Sequence, residues 1–426
     1  MLNLFEELKW RGLVFDASSE AAEALAKEKI TAYIGFDPTA ASLHVGSLLQ
    51  IMNLVRLQQY GHTPIALVGG GTGMIGDPSG KSEERNLLST EQLAINLAGI
   101  RAQLGKWLDF NAPGNPAQLV DNAEWLGQLT MMDFLRQVGK HFSVSQMLNR
   151  ESVKRRIESE EGISYTEFSY MLLQSYDFVM LFDRYNCTFQ LGGSDQWGNI
   201  LSGMDLVRRL RGGRAHGVVV PLVTTASGVK FGKTEAGTVW LDPALTSPYR
   251  FYQFWINTED RDVINYLKYF TMLDQPAIGE LETAMTADPG KREAQKRLAE
   301  EVTRFVHGEA ELQKTMAATR VLFGGEIAGM SAGEVADIFS DVPSTRLPRA
   351  GFAGEGMQLS ELLAATGLVP SKGEARRLLA GGGVSLNNVK VSDAKATATE
   401  STAIEGKFLV LRKGARAYHL VELVDE

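Results

Sequence analysis

Residues 31–68 read TAYIGFDPTAASLHVGSLLQIMNLVRLQQYGHTPIALV. Thr31–Phe36 is a short, largely apolar run of the kind that forms a buried strand. From there Leu48, Ile51, Met52 and Val55 recur at helical spacing, which predicts a helix over 48–60 ended by Gly61. Pro64–Val68 is a second apolar strand. A helix lying between two strands implies that the strands run parallel. Further along, residues 166–182 predict an apolar helix and Thr188–Leu191 a strand closed by Gly192-Gly193. Trp197–Leu210 predicts another helix and Val218–Thr224 another strand. Residues 1–225 therefore read as an α/β domain, a Rossmann-like doubly wound parallel sheet of the nucleotide-binding kind.

Beyond Ser247 the pattern changes. Phe251–Leu273 and Lys291–Leu322 read as helical, with aromatics and charges on opposite faces, so 226–323 is a loop followed by a helical domain. Residues 324–356 are rich in Gly, Ala, Ser and Pro, including Pro343 and Pro348, and read as a linker flanking a small helical piece. Residues 357–426 form a small α+β module: helices Leu359–Ala365 and Ser371–Leu379, then Gly381-Gly382-Gly383 and strand Val384–Leu386.

At 426 residues and 44% apolar composition, two or three domains with ample cores are expected. The single cysteine excludes an intramolecular disulfide and a cysteine metal cluster. Cys187 falls in a strand-like run with no neighbouring His and reads as a buried structural thiol. Met1–Trp10 mixes charges with apolar residues and is no signal peptide, and no apolar stretch approaches a membrane span. A cytoplasmic protein is expected. The net charge of −8 argues against a wholly basic nucleic-acid binder, so any RNA contact must use local basic patches.

Two short segments carry chemistry suited to phosphate. His44-Val45-Gly46-Ser47 stands at the start of a helix, where an imidazole, free N–H groups and the positive dipole end can meet an anion. Gly46 leaves room for a nucleotide to pack against backbone. The competing reading makes His44 a cap or core histidine and Ser47 a helix cap. The second segment, Lys230-Phe231-Gly232-Lys233-Thr234, follows a strand and holds two ammonium groups. No GxxxxGK[ST] run exists, although Gly69–Gly76 is glycine-rich and leads to Asp77, Lys81 and Arg85. Tyr170, Gln174 and Asp177 stand at offsets of four and three, on one face of an otherwise apolar helix, and need buried partners. In the run GGSDQWGN from Gly192, Gly193 admits a ribose and Asp195 is placed to accept from its hydroxyl. No metal-ligand spacing appears.

These residues together resemble a known family. His44–Ser47 and Lys230–Thr234 resemble the HIGH and KMSKS elements of class I aminoacyl-tRNA synthetases, and KFGKT with the run Tyr33-x-Gly35-Phe-Asp37-Pro38-Thr39 resembles the bacterial tyrosyl enzymes. There is one departure: Ser47 stands where the family usually has His. The resemblance implies a tyrosine–tRNA ligase that takes L-tyrosine, ATP with Mg2+ and tRNA(Tyr), holds no metal of its own, and forms a homodimer. It implies that His44, Ser47, Lys230, Lys233 and Thr234 act on the transition state, with Lys81 and Arg85 assisting at pyrophosphate. Tyr170, Gln174 and Asp77 would hold the substrate ammonium, Asp177 and Tyr33 its phenol hydroxyl, and Gln196 would lie by the carboxylate or α-phosphate. Gly35, Asp37, Pro38, Thr39, Gly46, Gly193, Asp195 and Val223 would line the ATP site, and Asn122 would join the pocket. Ser371–Arg377 resembles an S4 RNA-binding module, which implies tRNA contact through Lys372, Arg376 and Arg377, with Lys154, Arg155 and Arg156 as a second basic run.

Three other readings stay open from the sequence: a tryptophanyl enzyme, a small-molecule nucleotidyltransferase, and an RNA-binding regulator that has lost catalysis. A Tyr33/Asp177 pair argues against the first and an S4-like tail against the second, while Ser47 is the sole hint of the third.

Overall fold

The computed structural model describes residues 3–79, 88–158, 162–224, 231–234, 237–321, 324–325, 327, 329–340, 342–414 and 417–425, with backbone alone at 151, 152, 155, 233 and 234. The chain separates into two compact units. The first comprises residues 1–245 and 256–302, the second 246–255 and 303–426.

Six strands build the sheet of the first unit: β1 (Asp16–Ala17), β2 (Thr31–Phe36), β3 (Thr63–Val68), β4 (Gln118–Asp121), β5 (Cys187–Gly193) and β6 (His216–Val220). Their order is β1-β6-β5-β2-β3-β4. Strands β2 to β6 pair in parallel, and β1 is an antiparallel edge on β6. The order reverses between β2 and β5, and a doubly wound sheet opens a crevice at that point, beyond the carboxyl ends of its strands.

The sequence dictates the layers. β3 is buried at every position, as a parallel strand covered on both faces must be. The Val45–Gln59 helix buries Leu48, Leu49, Ile51, Met52, Leu54, Val55 and Leu57. Each such side chain contributes about 1.5–3 kcal/mol on burial, before the entropy of ordering it. The Tyr165–Tyr185 helix starts at Ser164, whose side chain accepts from the Glu167 N–H, and stops at Asn186 in the left-handed region.

The strand expected through Thr224 ends at Val220, because Pro221 has no N–H to continue the ladder. The expected helix 251–273 is two helices, Pro248–Ile256 and Asp260–Phe270, and the expected helix 291–322 is broken at Gly308 (φ +88°) into Glu293–His307 and Glu309–Val321. Beyond β6, β7 (Lys233–Thr234) and β8 (Gly237–Thr238) form a two-stranded antiparallel hairpin.

In the second unit the stretch expected as a linker contributes a structural strand. β9 (Ser344–Pro348) pairs in parallel with β15 (Ala417–Val424), closing a five-stranded sheet of order β12-β11-β14-β15-β9. Its other members are β11 (Val384–Leu386), β12 (Val389–Val391) and β14 (Phe408–Lys413), while β10 (Met357–Gln358) and β13 (Thr397–Ala398) pair separately. Along β14 the apolar residues alternate: Leu409 and Leu411 enter one core with Leu359, Leu363 and Leu379, and Phe408 and Val410 enter another with Val335, Phe339 and Tyr418. The period of two feeds both faces of the sheet. Prolines at 343 and 348 gave this segment the composition of a loop, but Pro348 occupies the last position of an edge strand, where the missing N–H costs nothing. Among the described residues no helix is long and apolar enough to cross a membrane.

Candidate active site

A cavity of about 410 Å3 lies at the switch point of the six-stranded sheet, lined by the ends of β2 and β5, the start of the Val45–Gln59 helix and one face of the Tyr165–Tyr185 helix. Its deep end is built around Asp177, which is 2% exposed. The Trp125 Nε1–H donates to Asp177 Oδ1 at 2.7 Å and the Asn122 amide to Oδ2 at 3.0 Å. Tyr33, 1% exposed, packs edge-on against Phe178, and its hydroxyl has no hydrogen-bond partner among the described residues. A buried hydroxyl left so costs about 1–3 kcal/mol, and a ligand that reaches it recovers that energy.

Burial raises the Asp177 carboxyl from 3.8 to about 7, against the hydrogen bonds from Asn122 and Trp125 and with a smaller push from Asp37 and Asp121. Burial, then Asp177, pushes the Tyr33 hydroxyl upward as well. The raised carboxyl has a consequence for stability. Between about pH 4 and 7 the folded chain holds a proton that the unfolded chain has released, so stability is lost as pH rises through that window. Asp177→Asn removes this dependence. Its thermal midpoint relative to the parent is expected to climb from pH 4 to pH 8 in calorimetry; a constant offset contradicts the assignment.

Beside this lies a chain of polar groups. Asp77 Oδ2 accepts from Gln196 Nε2 at 2.7 Å, and its Oδ1 caps the Ser79 N–H at 2.9 Å. Asn199 then ties three partners together, donating to Gln174 Oε1 (3.0 Å), Ser79 Oγ (3.1 Å) and Gln196 Oε1 (3.2 Å). Gln174 and Tyr170 therefore stand one turn and two turns from Asp177 in one cavity wall. Acidic and amide oxygens converge here, an arrangement whose charge and acceptors suit an ammonium group.

The other end of the cavity begins at His44, the N-cap of its helix, whose Nδ1 accepts from the Gly46 N–H at 3.0 Å. A Cβ on Gly46 would lie 2.7 Å from the imidazole Cε1, so only glycine lets the ring fold back over the first turn. The Ser47 hydroxyl does not cap; Ser47 lies in the first turn and lines the cavity.

The second motif comes to the same place. Gly232 (φ +82°) sits against Val45, where a Cβ would meet Cγ2 at 2.6 Å. The Val239 N–H donates to Gly232 O at 3.1 Å and the Val45 N–H to Val239 O at 3.0 Å, stitching the hairpin to the helix start. Phe231 lines the cavity with His44.

The structure thus brings together Tyr33, Gly35, Asp37, His44, Gly46, Ser47, Asp77, Asn122, Tyr170, Gln174, Asp177, Gly193, Asp195, Gln196 and Val223 in one cavity wall. Pro38 and Thr39 are not part of it: the Thr39 N–H turns back to Asp37 O (2.9 Å), leaving Thr39 exposed, and the Pro38 carbonyl accepts from Asn96. Lys81, Arg85 and Lys230 lie outside the described residues, and Lys233 and Thr234 are described by backbone alone.

Arg156 requires a correction. It is 2% exposed and paired with Glu167 at 2.9 Å, so the charge read as free for RNA holds two helices together instead. Lys154 is exposed on the same helix, and of Arg155 only the backbone is described. In the second unit Lys372, Arg376 and Arg377 are exposed on the Lys372–Ala380 helix, with Lys372 paired to Glu361. Cys187 is buried and free, with its thiol pushed up by burial, as a structural residue would be.

Sequence reasoning missed Trp125, Thr72, Gln50 and Gln190, which line the cavity or brace Asp177. Trp125 carried no signal, because its role depends on a contact 52 residues away. Asn199 ended the GGSDQWGN run and was legible as a polar residue on an apolar helix face. Among the described residues no group of three or more His, Cys, Asp or Glu is arranged to hold a metal ion.

Comparison with known proteins gives the family of the chain. Residues 25–324 match the family of tRNA synthetases class I (W and Y), and residues 334–421 match a Tyrosine--tRNA ligase SYY-like C-terminal domain. The chain is 56% identical over 424 residues to a Tyrosine--tRNA ligase of Roseiflexus castenholzii, covering 100% of each, and 51% identical over 425 residues to that of Bacillus caldotenax, covering 99% of each. A C-terminally truncated Aspergillus nidulans mitochondrial tyrosyl-tRNA synthetase superimposes with a TM-score of 0.70 at 31% identity, over 76% of this chain and 95% of that one. The parallel sheet with a phosphate-suited helix start at its switch point defines a class I synthetase fold. Within that class the chain belongs to the family of the tryptophan and tyrosine tRNA synthetases.

Proposed function

We propose that the chain is a tyrosine–tRNA ligase. The observation that carries this is the cavity with a buried carboxyl–hydroxyl pair, Asp177 and Tyr33, at one end and His44 with Gly232 at the other. A phenol hydroxyl donates to Asp177 and accepts from Tyr33. The substrate ammonium meets Asp77, Tyr170 and Gln174. A tyrosine carboxylate oxygen then attacks the α-phosphorus of MgATP in line, the bond to the β-phosphate oxygen breaks, and pyrophosphate leaves. In the second step a hydroxyl of the 3′-terminal ribose of tRNA(Tyr) attacks the tyrosyl carbonyl carbon and AMP departs. No protein nucleophile takes part; positioning and charge stabilisation supply the rate. His44, Ser47, Lys230, Lys233 and Thr234 surround the reacting phosphate, Lys81 and Arg85 assist pyrophosphate, and Gly193 and Asp195 receive the ribose.

Tyrosine-dependent ATP–pyrophosphate exchange tests this reading. Exchange is expected with tyrosine and not with phenylalanine or tryptophan. Exchange driven by tryptophan, or none with any amino acid, overturns it. Gly46→Ala gives a finer test. Moving the imidazole aside costs the fold about 1 kcal/mol. Displacing it from the phosphate lowers the exchange rate roughly 10–100-fold. A large fall in melting temperature with unchanged exchange per folded molecule contradicts the role of His44.

The remaining assignments follow from the same reading. Residues 1–225 act as the catalytic domain, 226–323 as the lysine loop and helical domain, and 357–426, with β9 added to its sheet, as an S4-like RNA-binding domain in which Lys372, Arg376 and Arg377 contact tRNA phosphates, while Lys154 and Arg155 make such contacts on the first domain. A homodimer is supported by the concentration of exposed apolar side chains between 131 and 165, among them Met131 (64% exposed), Met132 (71%) and Tyr165 (65%). The cytoplasm, where tRNA is charged, is the compartment this function requires.

A further inference from the structure

Phe231 does more than line the cavity. It is buried, stacks on Phe270 with ring centroids 5.3 Å apart and planes at 15°, and meets the edge of Tyr266 at 5.0 Å. Tyr266 is also edge-on to Phe270, at 5.8 Å. Standing four residues apart, the two rings share one face of the Asp260–Phe270 helix. The Tyr266 hydroxyl donates to Thr224 O at 3.3 Å. One helix therefore grips the chain on both sides of residues 225–230.

The far end of that helix is fixed to the helix that His44 begins. Arg56, 1% exposed and twelve residues along from His44, donates through its guanidinium to the carbonyls of Lys268 (3.2 Å), Tyr269 (2.7 Å) and Thr271 (3.0 Å). Arg11 adds bonds to Lys268 O (2.8 Å), Thr271 O (3.2 Å) and Leu273 O (2.8 Å). Carbonyls in the last turn of a helix have no partner within it, and two buried cations satisfy them here. The contacts form a closed ring. It runs from Gly232 to Val45 at the start of the His44 helix, along that helix to Arg56, across to 268–271, and back through Phe270 and Tyr266 to Phe231.

We propose that Tyr266 and Phe270 are positioning residues for the activation step. They seat Phe231, and the arginine-capped helix they stand on sets the distance between the lysine segment and His44. The inference rests on reading Lys230–Thr234 as the segment that acts on the phosphates. Its contacts matter in the transition state, whereas the Asp177 and Tyr33 end of the cavity stands on β2 and the Tyr165–Tyr185 helix, elements outside this ring. Loosening the seat therefore lowers the rate of adenylate formation and spares tyrosine binding.

The test uses the full chain, with stopped-flow adenylate formation at saturating tyrosine and ATP alongside equilibrium tyrosine binding. Phe270→Leu is expected to lower the rate constant about tenfold or more. Tyr266→Phe, which removes one oxygen, is expected to lower it about fivefold. Both leave the tyrosine dissociation constant within about twofold, and Phe270→Tyr, which keeps a ring against Phe231, loses less rate than Phe270→Leu. Unchanged rates in Phe270→Leu and Tyr266→Phe, or equal loss of rate and tyrosine affinity, overturn the proposal. Tyr266→Phe carries the test alone if Phe270→Leu does not fold. Lys233→Ala separates the two levels: if it leaves the rate intact, the reading of the lysine segment fails. If it slows the reaction and the aromatic variants do not, only the positioning role fails.

Discussion

Lys233→Ala slows tyrosyl-adenylate formation by about 3–4 kcal/mol of barrier, a loss of order a hundredfold to a thousandfold, while tyrosine binds with near-normal affinity. The reason lies in where charge develops. In-line attack makes the α-phosphorus five-coordinate and loads negative charge onto departing pyrophosphate. An ammonium group that meets this charge only as it forms lowers the barrier without tightening the ground state. The backbone of Lys233 follows Gly232, which is held against the first turn of the His44 helix, so in the proposed reading both motifs reach one phosphate chain. Pre-steady-state fluorescence or rapid-quench measurement of adenylate formation checks the prediction. An unchanged rate constant defeats the assignment.

The second large effect is at the other end of the cavity. Asp177→Ala lowers tyrosine affinity by about 1.5–3 kcal/mol, roughly 10- to 100-fold, and narrows the preference over phenylalanine. Phenylalanine fills the same volume but leaves Asp177 and Tyr33 buried with no partner for the missing hydroxyl. Rejection of that kind comes from unpaired polar groups in the site, and tyrosyl enzymes of this family are the standing example of it. Removing Asp177 also strands the Trp125 N–H and the Asn122 amide, which donate to its two oxygens. Part of the loss therefore appears as reduced stability, and the ratio of tyrosine to phenylalanine kcat/KM is the cleaner readout. A ratio equal to the parent's shows that selectivity arises elsewhere.

The two predictions draw on residues of very different legibility. The strand Thr31–Phe36, the helix over 48–60 and the strand Pro64–Val68 were plain in the sequence because each period is local, and they lie within a turn of the observed bounds. Tyr170, Gln174 and Asp177 were plain for the same reason: polar residues at helical spacing on an apolar helix announce buried partners. Non-local relations were not legible. Trp125 reaches Asp177 across 52 residues, and β9 pairs with a strand at the far end of the second unit, so neither shows in a window of sequence. Charge misled at Arg156, where a basic run suggested a solvated surface and Glu167, eleven residues on, turned one of its members inward. Proline misled between 324 and 356, since an edge strand tolerates at its end the residue that a central strand excludes.

The spatial core of this account is that one triphosphate spans the His44 helix start and the Gly232–Lys233 backbone while a phenol hydroxyl sits between Tyr33 and Asp177. A crystal structure of the full chain with tyrosine and a non-hydrolysable ATP analogue measures this directly. The account predicts the α-phosphate within hydrogen-bonding reach of the His44 helix start, with the tyrosine hydroxyl about 2.5–3.0 Å from both Asp177 and Tyr33. An amino acid bound away from Asp177, or phosphates that touch only one of the two motifs, contradicts it.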